Sequence, residues 1–205
     1  MSNNTWVLAS NNQGKLAEFK HLLSDIGVQV KPQAELGVSD AVEDGLSFIE
    51  NALIKARWAS AHTGLPALAD DSGLAVDALQ GEPGIYSARY AGEGATDALN
   101  NTKLLAALNN INTAQRGAQF HCVLAFVRHA KDPTPVICHG IWQGTILEAP
   151  RGDNGFGYDP LFLVPTLQKS SAQLSKIEKS QLSHRGQAIA QFKQLLSSGI
   201  ISNSL

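Results

Sequence analysis

Residues 118–147, AQFHCVLAFVRHAKDPTPVICHGIWQGTIL, contain two alternating apolar segments separated by a turn. Residues 118–129 and 136–147 each alternate in the manner of a strand, and KDPTP between them is rich in turn-forming residues. This pattern predicts a β-hairpin. Because strands and helices alternate along the rest of the chain, the hairpin indicates an α/β fold with a mixed central sheet flanked by helices.

The N-terminal side of the hairpin alternates between short apolar runs and amphipathic segments. Gly27 is predicted to cap the first helix. Ser47 and Glu50 have capping-box spacing at the start of the second helix, and Gly64 follows its end. Strands are predicted at residues 5–10 and 28–32, and helices at residues 15–27 and 45–64.

The remaining segments complete the same pattern. No repeat, low-complexity tract or linker interrupts them, which favours one domain over residues 1–205, built as two lobes that share a sheet. An extended loop is predicted at residues 81–97, a helix at 97–111, a glycine-rich loop at 149–160, a short strand at 161–165 and helical structure at 175–198.

The composition excludes several classes of partner. The 205-residue chain is 43% hydrophobic and carries a net charge of −2, so it has no global charge for binding nucleic acid or an acidic membrane. No stretch is long and apolar enough to span a membrane, and the N-terminus lacks the pattern of a signal peptide. Cys122 and Cys138 lie in apolar segments, which predicts buried thiols in a reducing, cytoplasmic compartment.

The segment SNNQGK, residues 10–15, is predicted to join a strand to a helix. Backbone N–H groups at a helix N-terminus attract anions, and Lys15 adds a positive charge there. The segment is not a Walker A loop, because Leu16 stands where that motif has Ser or Thr. An ordinary polar turn remains an alternative. Lys55, which shares a helix face with Asn51, offers a second lysine for the same anion.

Residues 67–79, ALADDSGLAVDAL, form an apolar run that is broken by two carboxylates and a Ser-Gly turn. Burying an unpaired carboxylate is costly, so Asp70 and Asp71 need a partner. Adjacent carboxylates suit a hard divalent cation such as Mg²⁺, and Glu43 is a candidate additional ligand. The alternative is that Asp70 caps a turn and Asp71 is solvated.

The glycine-rich loop contains two aromatic side chains on which a base could stack. These are Phe156 and Tyr158, and the neighbouring glycines allow a ligand to approach the backbone closely. Lys179, His184 and Arg185 follow near a predicted helix start. Each feature also has a plain structural explanation, but together they provide what hydrolysis of a nucleotide phosphate ester needs.

Six segments of the chain occur in the order found in one known family. SNNQGKLAEF, FIENALIKA, ADDSGLAVDAL, PGIYSARYAG, FGYDPLF and SHRGQA resemble the Ham1/RdgB-type inosine triphosphate pyrophosphatases, from about Ser10 to Ala188. The first loop departs from the family, because Ser10-Asn11-Asn12 stands where the family often has Thr/Ser-Gly-Asn. The departure keeps Asn12 and Lys15.

The resemblance implies a homodimeric, magnesium-dependent enzyme with an active-site cleft between two lobes, as in Maf/Ham1-like folds. Such an enzyme hydrolyses noncanonical purine nucleoside triphosphates, namely ITP, dITP and XTP, to the monophosphate and pyrophosphate. It implies no nucleic-acid or membrane partner.

The resemblance also implies roles for individual residues. Asp71 would be a metal ligand and the candidate base for the attacking water, and Asp70 would support the metal site. His184 and Arg185 would donate hydrogen bonds to the six-keto oxygen of the base. The implied substrate-binding residues are Ser10, Asn11, Asn12, Gln13, Gly14, Lys15, Lys55, Ser72, Phe156, Gly157, Tyr158, Asp159, Lys179, His184 and Arg185.

Two other functions remain open from the sequence. A Maf-type pyrophosphatase for modified pyrimidine nucleotides would use the same metal and lysine chemistry. A non-catalytic nucleotide-binding regulator would need the phosphate-binding residues but not the acidic residues Glu43, Asp70 and Asp71.

Overall fold

The computed structural model describes residues 5–24 and 27–199, which form a mixed sheet flanked by helices, as predicted. In that part of the chain the sheet has seven strands in the order β2-β1-β3-β4-β5-β6-β7. Strand β1 pairs in parallel with β2 and β3, whereas β6 pairs antiparallel with β5 and β7. The strands are β1 Thr5–Leu8, β2 Gln29–Pro32, β3 Ala67–Val76, β4 Gly117–Val127, β5 Val136–Ile146, β6 Phe162–Val164 and β7 Lys169–Ser170. The helices are α1 Gln13–Leu22, α2 Phe48–Thr63, α3 Asp97–Ala107, α4 Lys176–Leu182 and α5 His184–Ser197.

The described residues divide into two compact units, each with its own core. The first unit is drawn from Met1–Asp71, Cys122–Gly140 and Arg185–Leu205, and the second is made of Ser72–His121 and Ile141–His184. The chain passes from one unit to the other within β3, β4 and β5. The assignment of residues 1–205 to one domain stays a prediction.

The core of the first unit lies on both faces of its strands. Successive side chains of a strand point to opposite faces, so Trp6 and Leu8 belong to one cluster and Val7 and Ala9 to another. The Trp6 cluster includes side chains of α1 and α5, whereas the Val7 cluster includes small side chains of α2, namely Ala52, Ala56 and Ala59.

Both cysteines are buried, as the sequence predicts. Cys122 and Cys138 belong to the same hydrophobic cluster as Trp6, and neither forms a disulfide. Burial raises the pKa of the Cys122 thiol to about 12 and that of Cys138 to about 11. Both side chains therefore act as small apolar groups.

The core of the second unit is aromatic. The rings of Phe120 and Phe162 lie 4.5 Å apart between centroids, and those of Trp142 and Phe162 lie 5.1 Å apart. The hydroxyl of Tyr158 is buried in this core and donates to the carbonyl of Ser87 at 2.8 Å. Its polar atom is thus satisfied inside the core.

Helix ends follow local sequence at α2 but not at α1. Ser47 caps α2 by accepting from the Glu50 N–H, and Gly64 ends the helix at φ +68°, both as predicted. The predicted cap at Gly27 is wrong, because α1 ends at Leu22 and the Leu23 N–H donates to the Phe19 carbonyl. Ile26, which belongs to the helix predicted at residues 15–27, lies outside the described residues.

Several other predicted boundaries need correction. The predicted Ser72-Gly73 turn is wrong, because β3 continues through both residues. The predicted loop at 81–97 contains a 3₁₀ helix at Gly84–Arg89, and α3 ends before the predicted residue 111. The helical structure predicted at 175–198 is two helices separated at Ser183, and β7 was not predicted. Within the described residues, no helix combines the length and apolar character needed to cross a membrane.

Candidate active site

Lys15 is placed at the start of α1 by the junction that the sequence predicts. The side chain of Asn12 caps the helix by accepting from the Lys15 N–H at 3.0 Å. The ammonium of Lys15 lies 3.0 Å from Oδ2 of Asp70, a residue of β3 that is 1% exposed. The predicted phosphate-binding segment and the predicted acidic pair therefore meet in the first unit.

Asp70 is surrounded by positive charge. Besides Lys15, Nη2 of Arg185 lies 3.5 Å from Asp70 Oδ2, and Nη1 of Arg185 pairs with Glu18. Burial alone would raise the pKa of Asp70, but Lys15, Arg185 and Lys55 hold that pKa well below its usual range. Asp70 is therefore ionised, and it pairs with cationic side chains rather than capping a turn.

Asp71 has a different cationic partner. The ammonium of Lys55 lies 2.7 Å from Asp71 Oδ1 and 3.3 Å from Glu43 Oε2. Burial raises the pKa of Asp71, and the charge of Lys55 opposes this effect. Burial lowers the pKa of Lys55, but Asp71, Asp70 and Glu43 outweigh it, so that pKa is raised and Lys55 keeps its charge.

Each aspartate retains one buried oxygen with no hydrogen-bond partner among the described residues. These atoms are Asp70 Oδ1 and Asp71 Oδ2. Over residues 5–24 and 27–199, no three His, Cys, Asp or Glu side chains form a ready-made metal site. Mg²⁺ is typically bound through one or two carboxylates with waters and substrate phosphates completing its coordination. The two unpartnered oxygens fit that mode of binding.

The other predicted residues of the first loop lie between β1 and the first turn of α1. The hydroxyl of Ser10 accepts from the Asn12 N–H at 3.3 Å. The side-chain amide of Asn11 donates to Asp40 at 2.9 Å, which ties this loop to the segment before α2. Gln13 and Gly14 are the first two residues of α1.

In the second unit, Asp159 organises the glycine-rich loop. Its Oδ2 accepts from the Phe156 N–H at 2.9 Å and lies 2.7 Å from the Lys179 ammonium. Its Oδ1 accepts from the Ser171 hydroxyl at 2.8 Å. Lys179 also lies 5.0 Å from the centre of the Phe156 ring. The structure thus brings together three predicted residues, Phe156, Asp159 and Lys179.

His184 is the first residue of α5 and is buried. Its ring is stacked with that of Phe120, with centroids 4.7 Å apart and an interplanar angle of 14°. The ring of Trp142 lies further away, at 6.4 Å. Ser72 is half-buried within β3, and Tyr158 is buried in the aromatic core.

The site residues form two groups, one in each unit. The first group contains two lysines, Arg185 and the acidic residues, and the second contains the loop around Phe156, with Lys179 and His184. Two of the unit boundaries separate neighbouring site residues, Asp71 from Ser72 and His184 from Arg185.

Several residues that hold these groups in place were not predicted from the sequence. Glu18 lies one helical turn from Lys15, and that spacing could have indicated it. Asp97 and Asn101, which bind the backbone of Gly157, are more than fifty residues away in sequence, and no local pattern indicates them. The same applies to Phe120 and Trp142 beside His184.

One family model and two sequence relatives each match most of this chain. The model of the Ham1 family matches residues 6–195. The dITP/XTP pyrophosphatase of Yersinia pseudotuberculosis is 61% identical over 183 residues, which cover 89% of this chain and 93% of that protein. The dITP/XTP pyrophosphatase of Escherichia coli O157:H7 is 57% identical over 193 residues, or 94% of this chain and 98% of that protein.

Solved structures give the same result for the fold. A HAM1 protein from Coxiella burnetii superimposes with a TM-score of 0.89 at 52% identity, covering 95% of this chain and 98% of that one. The Ham1 protein of Staphylococcus aureus superimposes with a TM-score of 0.83 at 45% identity, with the same coverage.

Proposed function

The chain belongs to the Ham1 family, and we propose that it hydrolyses noncanonical purine nucleoside triphosphates, among them ITP, dITP and XTP. The products are the nucleoside monophosphate and pyrophosphate. The enzyme is therefore a hydrolase acting on acid anhydrides, and its activity removes these nucleotides from the nucleotide pool.

One observation about the site carries the proposal. Two buried aspartates stand next to each other, each is paired with a lysine, and each keeps an unpartnered oxygen among the described residues. A triphosphate and its divalent cation need both kinds of group, since cations must neutralise the phosphates and carboxylates must bind the metal. A binding protein without catalysis would need only the lysines.

The reaction begins with attack of water on the α-phosphorus. Asp71 accepts the proton of that water, and the bond from the α-phosphorus to the oxygen bridging to the β-phosphorus breaks. Lys15 and Lys55 stabilise the charge that builds on the phosphoryl oxygens and on the departing pyrophosphate. The raised pKa of Lys55 keeps its ammonium charged for this role.

Mg²⁺ is the proposed cofactor, with Asp71 as its main ligand and Asp70 and Glu43 as further ligands. When bound, it would neutralise part of the acidic charge and polarise the phosphoryl oxygens. The two buried carboxylate oxygens that have no hydrogen-bond partner among the described residues support this assignment. Ser72 and residues 10–14 are proposed to contact the polar parts of the substrate.

The Phe156 loop, Lys179, His184 and Arg185 are proposed to bind the nucleoside. Phe156 supplies a flat face for the base, and its loop residues Gly157, Tyr158 and Asp159 shape that face together with Lys179. His184 and Arg185 are proposed as donors to the six-keto oxygen of hypoxanthine or xanthine. Adenine has an amino donor at that position, so donor would face donor, and such a mismatch discriminates strongly.

Pyrophosphate release from a panel of nucleotides tests the proposal. The purified full chain would be assayed with ITP, dITP, XTP, ATP and a methylated uridine triphosphate, each with Mg²⁺ and with a chelator. We expect kcat/KM for ITP and XTP to exceed that for ATP by at least about 100-fold, since buried polar groups reject mismatched bases. We also expect the chelator to abolish turnover.

The panel also separates the two alternative functions. A preference for the modified pyrimidine would favour a Maf-type specificity. Tight binding of ITP without release of pyrophosphate in either condition would favour a regulator. Equal rates with ITP and ATP would contradict the proposed base selectivity.

We propose a homodimer in the cytoplasm, with no nucleic-acid partner, in keeping with the net charge of −2. Light scattering during gel filtration measures the assembly, and a mass near twice 21.8 kDa is expected.

A further inference from the structure

The backbone N–H and the carbonyl of Gly157 are both hydrogen-bonded to side chains in the first turns of α3. Its N–H donates to Oδ2 of Asp97 at 2.6 Å, and its carbonyl accepts from the side-chain amide of Asn101 at 2.9 Å. Asp97 and Asn101 are four residues apart, so they share one face of the helix. Two side chains on a regular helix therefore fix one residue of a glycine-rich loop.

This binding matters because a glycine stands on each side of Phe156 in the loop. Gly157 has φ +62° and Gly155 has φ +79°, conformations that glycine adopts readily. A Cβ on Gly155 would lie 2.0 Å from Asp159 Oδ2, so position 155 also needs glycine for space. A segment of this composition samples many conformations unless other residues hold it.

Phe156 lies between two fixed points. On one side Asp159 accepts from the Phe156 N–H at 2.9 Å, and the Asp159 N–H donates back to the Phe156 carbonyl at 3.3 Å. On the other side Gly157 is held by α3. The backbone conformation restricts the rotamers that a side chain can adopt, so these contacts restrict the orientation of the Phe156 ring.

We infer that Asp97 and Asn101 are positioning residues that hold the Phe156 ring in the orientation in which it stacks on the purine base. This inference rests on the proposed function, in which Phe156 is the stacking surface. Both residues act through the backbone of Gly157 and are given no contact with the substrate in the proposed function. Their effect is on substrate binding, because a ring that is already oriented loses less freedom when the base binds.

A double-mutant cycle with Phe156 tests the inference. Asp97→Ala and Asn101→Ala would each be made in the wild-type chain and in the Phe156→Leu variant, and KM and kcat for ITP would be measured. We expect each substitution to raise KM by about 3- to 10-fold in the wild type, the range for one hydrogen bond, with kcat changed less than about 2-fold. In the Phe156→Leu background we expect the rise in KM to be lost.

Two further variants separate positioning from general stability. Asp97→Asn keeps an acceptor for the Gly157 N–H but removes the charge at the helix N-terminus, and we expect it to retain the wild-type KM. Thr102→Ala, which removes a hydroxyl that donates to Ala98 within α3, is the matched control and should leave KM unchanged. If Asp97→Ala does not fold, Asn101→Ala and Asp97→Asn carry the test.

The outcomes distinguish this inference from the function on which it rests. A rise in KM that persists in the Phe156→Leu background overturns the inference, as does an equal effect of Asp97→Asn and Asp97→Ala. If Phe156→Leu alone leaves KM unchanged, the proposed stacking role fails instead. A rise in KM with Phe156→Leu but none with the α3 variants rejects only the positioning role.

Discussion

Asp70 and Asp71 are neighbours in one strand, yet they have different partners. Successive side chains of a strand point to opposite faces. Asp70 accordingly pairs with Lys15 of α1 and Arg185 of α5, whereas Asp71 pairs with Lys55 of α2. The sequence identified the aspartates and both lysines, because such residues seldom interrupt an apolar run without a reason. It could not identify the pairing of Arg185 with Glu18, which joins residues 167 positions apart.

At the residue scale, Asp71→Asn tests the proposed base. The substitution keeps the shape of the side chain but removes its charge and its ability to accept a proton. We expect kcat for ITP to fall by at least about 100-fold, the usual contribution of a general base. The circular dichroism spectrum should stay unchanged. Asp44→Asn, at an exposed acidic residue next to Glu43, should behave like the wild type. Activity of Asp71→Asn within a few-fold of the wild type would remove Asp71 from the mechanism.

Arg185→Ala tests the second prediction at this scale. Arginine has only donors, so a contact with a six-keto oxygen favours hypoxanthine over adenine. A hydrogen bond from a charged group contributes about 1.5–3 kcal/mol, or about one to two factors of ten in kcat/KM. We therefore expect the ratio of kcat/KM for ITP to that for ATP to shrink in the variant.

An unchanged ratio of kcat/KM for ITP to that for ATP in Arg185→Ala would point to a different role for this residue. Arg185 is buried and pairs with Asp70 and Glu18, so its loss also leaves two carboxylates with less positive charge nearby. Equal falls in kcat/KM for ITP and ATP would confine Arg185 to that role and leave base selection to His184.

At the level of helices and strands, residues close to a helix end predicted that end correctly for α2 but not for α1. The start and end of α2 follow from Ser47, Glu50 and Gly64, which act within a few residues of the helix ends. The end of α1 does not follow from a glycine in this way. The Ser-Gly pair after Asp71 did not form a turn, because pairing within the sheet outweighs the local preference of these two residues.

The connection between β4 and β5 supplies a prediction about stability. Asp132 accepts from the Arg128 Nε at 2.8 Å, from the Arg128 N–H at 2.9 Å and from the Thr134 N–H at 3.0 Å. The Arg128 side chain above all lowers the pKa of Asp132, while burial acts in the opposite direction. A carboxyl whose pKa is lower in the folded protein stabilises the fold when it is ionised.

Because the pKa of Asp132 is lowered in the folded protein, its contribution to stability depends on pH. The contribution of Asp132 is complete above the pKa of an unfolded aspartate, about 4, and is lost as the pH falls through the lower folded value. We expect Asp132→Asn to lower the melting temperature at pH 7, and the difference from the wild type to shrink below about pH 4. Asp153→Asn, at an exposed loop residue, is the control. A difference that stays constant with pH would contradict this account.

At the scale of the whole molecule, the fold class was predictable and the support of the site was not. Alternating strands and helices with a central hairpin are enough to indicate a mixed α/β sheet. The residues that hold the Phe156 loop come from α3, and His184 packs on Phe120 of β4. Such contacts depend on how segments distant in sequence pack together, and no periodic pattern in the sequence predicts them.

In the proposed reaction, water attacks the α-phosphorus and releases pyrophosphate. Hydrolysis of dITP in water labelled with a heavy oxygen isotope tests it directly, with the products separated and weighed by mass spectrometry. We predict one pyrophosphate for each deoxyinosine monophosphate, with the label in the monophosphate. Release of inorganic phosphate and the diphosphate, or label in the pyrophosphate alone, would contradict attack at the α-phosphorus.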